Sequence, residues 1–181
     1  MNRSLLPEAV VKHAGFVMAH AAVIVSVLEP HELICPFAVV TKGDNRESIE
    51  FEAENQDEAV SEAWSSLDKY RDHIDLWGMA REGLVTASGV KEDVLVVAVW
   101  THGMPEAAIF TQQFRDRGNA FALVGPVALQ SRSSSEELEL MREWFHQGIG
   151  LHPKSSQWWI WANAAQQSAQ AASPASGGPS A

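Results

Sequence analysis

The run AGFVMAHAAVIVSVL, Ala14 to Leu28, decides what kind of protein this is. As a helix it is apolar on most faces, so it must be covered on more than one side. A spanning helix needs about 20 uninterrupted apolar residues. Here His20 interrupts the run, and Glu8 and Lys12 precede it. A signal peptide has a basic leader without acid, and a small-residue cleavage site after its apolar core. EPHELICPF, Glu29 to Phe37, supplies no such site. The run therefore reads as a buried helix from about Leu5 to Leu28, capped by Ser4, with Pro7 in a first turn that needs no N–H. It ends near Glu29, because Pro30 disfavours helical backbone in the residue before it. Either a sheet and another helix cover it, or a second subunit does.

Working outward, ELICPFAVV (Glu32 to Val40) and ESIEFEAE (Glu47 to Glu54) flank a turn containing Gly43, Asp44 and Asn45, and predict a hairpin. In its second strand Ile49, Phe51 and Ala53 alternate with Glu50, Glu52 and Glu54, giving an acidic outer face. Pro36 removes a ladder donor, which places it at an edge or bulge. Asn55 and Glu58 have capping-box spacing. Val60, Ala63, Trp64, Leu67, Tyr70, Ile74 and Trp77 then follow the helical period as far as Arg81 and Gly83. Strands follow at LVTASGVKEDVLVVAVWTHG, strongest over Asp93 to Thr101, at EAAIFTQQFRD, and at AFALVGPVALQ, which Gly125 and Pro126 interrupt. A helix over Glu136 to about Gln147 carries Leu138, Met141, Trp144 and Phe145 on one side.

These elements predict an α+β fold: a single antiparallel sheet of about five strands with three helices, in the order α-β-β-α-β-β-β-α. The order resembles that of profilin-like and roadblock-type domains. That likeness, of element order alone, implies an adaptor, a dimerisation platform or a ligand sensor. Residues 1–164 form one globular domain. Residues 165–181 form an Ala/Ser/Pro/Gly-rich tail that lacks larger aliphatic or aromatic side chains and is expected to be disordered.

Composition excludes some functions. The 181 residues carry a net charge of −10 with 13 basic residues that nowhere concentrate, which argues against nucleic acid. One cysteine permits no internal disulfide and no multi-cysteine zinc site, and fits a reducing cytoplasm. No HExxH, CxxC, G-x-S-x-G or P-loop pattern is present.

Cys35 is the lone candidate nucleophile or ligand. Strand alternation groups it with Leu33 and Phe37, facing the core, whereas a catalytic thiol is activated and partly exposed. The Cys35–Pro36 pair occurs in haem-responsive motifs, but two residues do not define a site. Among the seven histidines, His13 and His20 lie two helical turns apart, too far to share a metal. His102 in the THGMPE loop is the one most expected to be exposed. The carboxylates Glu50, Glu52 and Glu54 on an outward face stay solvated and unsuited to acid–base work.

Seven tryptophans are present, with Trp158, Trp159 and Trp161 close together. Tryptophan fills cores and anchors interfaces alike. The expected function is a non-catalytic, cytoplasmic, soluble protein-interaction or dimerising module with no cofactor or metal. Its partner is a protein or a second copy, and neither nucleic acid nor membrane. Trp158, Trp159, Trp161, Phe16 and Val17 are the candidate contacts. The alternative is a small enzyme or ligand sensor with a pocket near Cys35, His31 and His102.

Overall fold

The computed structural model describes residues 5–129 and 134–171. The chain order is α1 (Glu8–Val27), β1 (Phe37–Lys42), β2 (Asn45–Glu50), α2 (Gln56–Lys69), β3 (Leu76–Ala87), β4 (Val90–Thr101), β5 (Ala108–Arg115), β6 (Ala122–Leu129), α3 (Ser135–Gly150) and α4 (Ser155–Ala171). The strands form one antiparallel sheet in the order β2-β1-β3-β4-β5-β6. The α+β class and single antiparallel sheet are as expected, but the described residues form six strands and four α-helices.

Two apolar layers flank the sheet. On one face α1, α3 and α4 pack on Phe37, Val39, Ala80, Leu95, Val97, Val99 and Phe110. On the other, α2 buries Ala59, Ala63 and Leu67 against Ala38, Val40, Trp77, Met79, Ala98 and Trp100. The sheet and α3 thus cover much of α1. It is the one helix among the described residues long and apolar enough to cross a membrane, and two thirds of its apolar window is buried in the protein.

Three glycines set how closely α1 is held. A Cβ on Gly15 would run into the Phe145 carbonyl of α3, and one on Gly148 into the Lys12 carbonyl of α1. On the sheet side, a Cβ on Gly78 would stand 2.9 Å from both His13 Cδ2 and Val17 Cγ2. Glycine inside a helix costs roughly 1 kcal/mol relative to alanine. Here that cost is set against backbone-to-backbone packing on one side of α1 and side-chain-to-backbone packing on the other. His13 completes the contact by donating from Nε2 to the Val39 carbonyl at 2.9 Å. Burial lowers its pKa to about 4, with Arg46 adding to the effect and the Val39 bond opposing it.

The expected second helix is shorter than its periodicity suggests. Asn55 caps it by accepting from the Glu58 N–H, as the spacing predicts, but it stops at Lys69. Trp77 lies instead in β3, where Trp77 and Met79 face α2 while Gly78 and Ala80 face α1. Ile74 and Trp77 are buried at a helix-like spacing, but a two-residue alternation runs through them from Leu76 onward. β3 is one arm of a hairpin with β4, each strand 12 residues long, closed by Ser88 and Gly89, both at positive φ. The segment Trp158 to Trp161 belongs to α4, a helix that local pattern does not predict. That helix continues through Ala171, past the residue where composition starts the tail, and Ala165 is buried. Ser4 lies outside the described residues, and Pro7 takes the cap position of α1. The capping box of α3 is formed by Ser134 and Glu137.

Cys35 does not point inward. Glu82 of β3 accepts from the Ile34 N–H at 2.7 Å and is held by both Arg117 guanidinium nitrogens, at 3.3 and 2.7 Å. This buried clamp turns Ile34 into the core, leaving Leu33 and Cys35 exposed. Pro36 sits just before β1, where a missing donor is tolerated. It marks the start of an inner strand, not a sheet edge, and its carbonyl accepts from the Phe51 N–H.

Gly148→Ala should cost about 2–3 kcal/mol through overpacking. Gly150→Ala, which meets nothing within 4 Å, should be neutral or gain up to about 1 kcal/mol; urea denaturation of the two variants measures the contrast. The low His13 pKa has a defined sign. Between the unfolded value near 6.5 and the folded value of about 4, only the unfolded chain binds the proton. Stability is therefore full above about pH 6.5 and falls by an amount on the order of 3 kcal/mol as pH drops toward 4. Urea midpoints at pH 7.5 and 4.5 should show this fall, and His13→Gln, which keeps a donor, should reduce it.

Candidate functional site

The expected contacts are scattered by the fold. Val17 is 0% exposed and Trp158 4%, both inside the core. Phe16 is half-buried, with the Arg46 guanidinium 4.1 Å above its ring and His152 beside it. Trp161 packs edge-on against Phe121 at 4.9 Å. Only Trp159 stands well out, 42% exposed, its ring against His146.

The pocket expected near Cys35, His31 and His102 is not assembled. Phe37 pairs with Ala80, which pairs with Val97, whereas Thr41 pairs with Leu76, which pairs with Thr101. Cys35 and His102 therefore sit at opposite ends of the sheet, roughly 20 Å apart along the strands. His31 lies exposed in the turn after α1. His102 is exposed beside Trp100.

The Cys35 environment works against a nucleophile. Partial burial, then the carboxylates of Glu50 and Glu52, push its thiol pKa up, and the thiol donates to the Phe51 carbonyl at 3.4 Å. A pair that spacing could not reveal is His20 with His152, whose ring nitrogens lie 3.1 Å apart. His152 Nδ1 accepts from the Lys154 N–H, so its Nε2 donates to His20 Nδ1. Burial, first of all, lowers the pKa of both. The pair joins α1 to the α3–α4 turn. Among the described residues, no three His, Cys, Asp or Glu side chains are grouped to hold a metal.

Two surface features have a geometry suited to binding. The first is the outer half of the β3–β4 hairpin. β1 pairs with β3 only as far as Ala80, and β5 with β4 only as far as Val94. Beyond those points, among the described residues, the ribbon's ladder pairs only with itself. It carries Leu84, 64% exposed, Val90, 59%, and Val85, half-exposed. The second is a cleft of ≈ 500 Å³ between β6, α3 and α4. Phe110, Leu123, Met141 and Phe145 form its buried floor. Its exposed mouth holds Arg115, Arg142 and His146. Burial and then Arg142 lower the His146 pKa.

The cleft depends on a β-bulge. The β5–β6 register shifts between Thr111 and Gln113, and Gly125 takes φ +67. The buried Gln112 amide donates to the carbonyls of Gln113, Val124 and Gly125 at 2.9, 3.0 and 3.2 Å. The Gly125–Pro126 interruption was the only sign of this in the sequence.

No protein-family model matches the chain, and no curated protein or solved structure matches it either.

Cys35 should react with a disulfide reagent in the native protein, but slowly at neutral pH. Replacing Glu50 and Glu52 by Gln should speed the reaction at neutral pH, as stopped-flow thiol titration would show. Reaction only after denaturation would contradict the exposed placement.

Proposed function

We propose that this chain is a non-catalytic, cytoplasmic protein-interaction module that docks its partner on the outer half of the β3–β4 hairpin. The observation that carries this reading is the ribbon itself. Exposed apolar side chains at Leu84, Val85 and Val90 stand on strands whose outward edges have no ladder partner among the described residues. Unpaired strand edges recruit further strands, and an extended segment added to such an edge gains main-chain hydrogen bonds plus pockets for alternate side chains. The raised thiol pKa of Cys35 and its distance from His102 support binding over nucleophilic chemistry. A second copy of the chain is one partner such an edge accepts, by antiparallel pairing about a two-fold axis.

Light scattering reads self-association, and a photo-crosslinking residue at position 84 reads a different protein partner. The reading expects either a dimer or one discrete adduct, lost in each case with V85E/V90E. A strict monomer at high concentration that also yields no discrete adduct overturns it.

A further inference from the structure

The cleft between β6, α3 and α4 lies apart from the hairpin and offers different chemistry. Its ≈ 500 Å³ falls within the range of small-molecule pockets, roughly 300–1,000 Å³. Its walls are mostly aliphatic and aromatic, and its floor is closed by buried side chains. The Gln112 amide braces the bulge beside it, donating to the carbonyls of Val124 and Gly125 on β6 and of Gln113 on β5. The chain has 23 acidic residues against 13 basic, yet among the described residues no carboxylate lines the cleft, and the lining arginines are Arg115 and Arg142. Arg142 is shared with Glu139 one turn back on α3, while Arg115 makes no ion pair among the described residues.

We infer that the cleft binds a free amphipathic carboxylate, with its acyl chain on the Phe110, Met141 and Phe145 floor and its head group at Arg115 and Arg142. An arginine meets a carboxylate with charge-assisted, often bidentate hydrogen bonds, and the apolar wall takes the chain.

Calorimetric titration of the full chain with laurate tests this. Dodecanol, dodecyltrimethylammonium and anionic vesicles serve as the other arms. One laurate should bind per chain. Dodecanol should bind about tenfold or more weakly for want of the charge, the cation should not bind, and the vesicles should not retain the protein. Arg115→Gln, on an exposed side chain, should weaken laurate about tenfold while leaving dodecanol unchanged. Leu138→Trp, at the half-exposed rim, should block both, with melting curves confirming that each variant folds. The His146 ring signals should move on saturation. Equal binding of laurate and dodecanol, with no effect of Arg115→Gln, overturns the carboxylate assignment. Retention on vesicles reassigns the mouth to a lipid surface and overturns the free ligand. No binding by any probe overturns the site.

Discussion

The rest of the architecture depends on the close approach of α1 to its neighbours. Gly15 and Gly148 let two helix backbones touch, and Gly78 lets the same helix settle onto β3. With α1 fixed, α3 lies beside it and reaches the sheet through Phe145, which stacks on Phe110 at 5.7 Å. The position of α3 then sets one wall of the cleft, and α4, joined through the His20–His152 contact and the Phe145–Trp158 contact, sets another. A single added methyl at Gly148 would be felt along that whole series, because packed interiors transmit displacement and do not absorb it.

Much of this was legible before any coordinates. Capping chemistry is local, so Asn55 and Glu58 located the start of α2. The apolar surplus of α1 required cover on several sides, and the fold provides it. What failed was failure of local pattern. The spacing of Ile74 and Trp77 satisfies both a helix and the start of a strand, and only pairing with β1 and β4 decides between them. Likewise, Cys35 was placed by alternation, but a side chain 47 residues further on, Glu82, determines which way the segment faces. The functional surfaces were harder still. The cleft is assembled from β5, β6, α3 and α4, and its opening comes from a bulge whose support, Gln112, looks like any strand glutamine. The tryptophan cluster divides by helical phase into a core residue, a half-buried one and an exposed one, which counting aromatics cannot separate.

Charge is distributed unevenly over this acidic molecule. The β2 side is acidic enough for Glu50 to act on both His20 and Cys35. The cleft mouth presents the guanidinium groups of Arg115 and Arg142 and, among the described residues, no carboxylate. The exposed ribbon adds a third surface, set by unpaired backbone more than by charge. An acidic surround repels anions at long range, so an anion that reaches the cleft must be held by short-range contacts, which salt screens less. Such a site discriminates by fit and desolvation, not by steering.

The glycine contact between Lys12 and Gly148 also joins opposite ends of the chain. During synthesis α1 is made before α3, and the Gly148 that meets Lys12 follows it 136 residues later. At roughly 5–20 residues per second, the most apolar segment waits on the order of ten seconds or more for its cover. Over that interval its exposed surface is the chain's main hazard for aggregation. The same contact makes the native topology strongly non-local, which slows folding. The nascent chain, more than the finished protein, is therefore where this apolar helix is most exposed to misassembly.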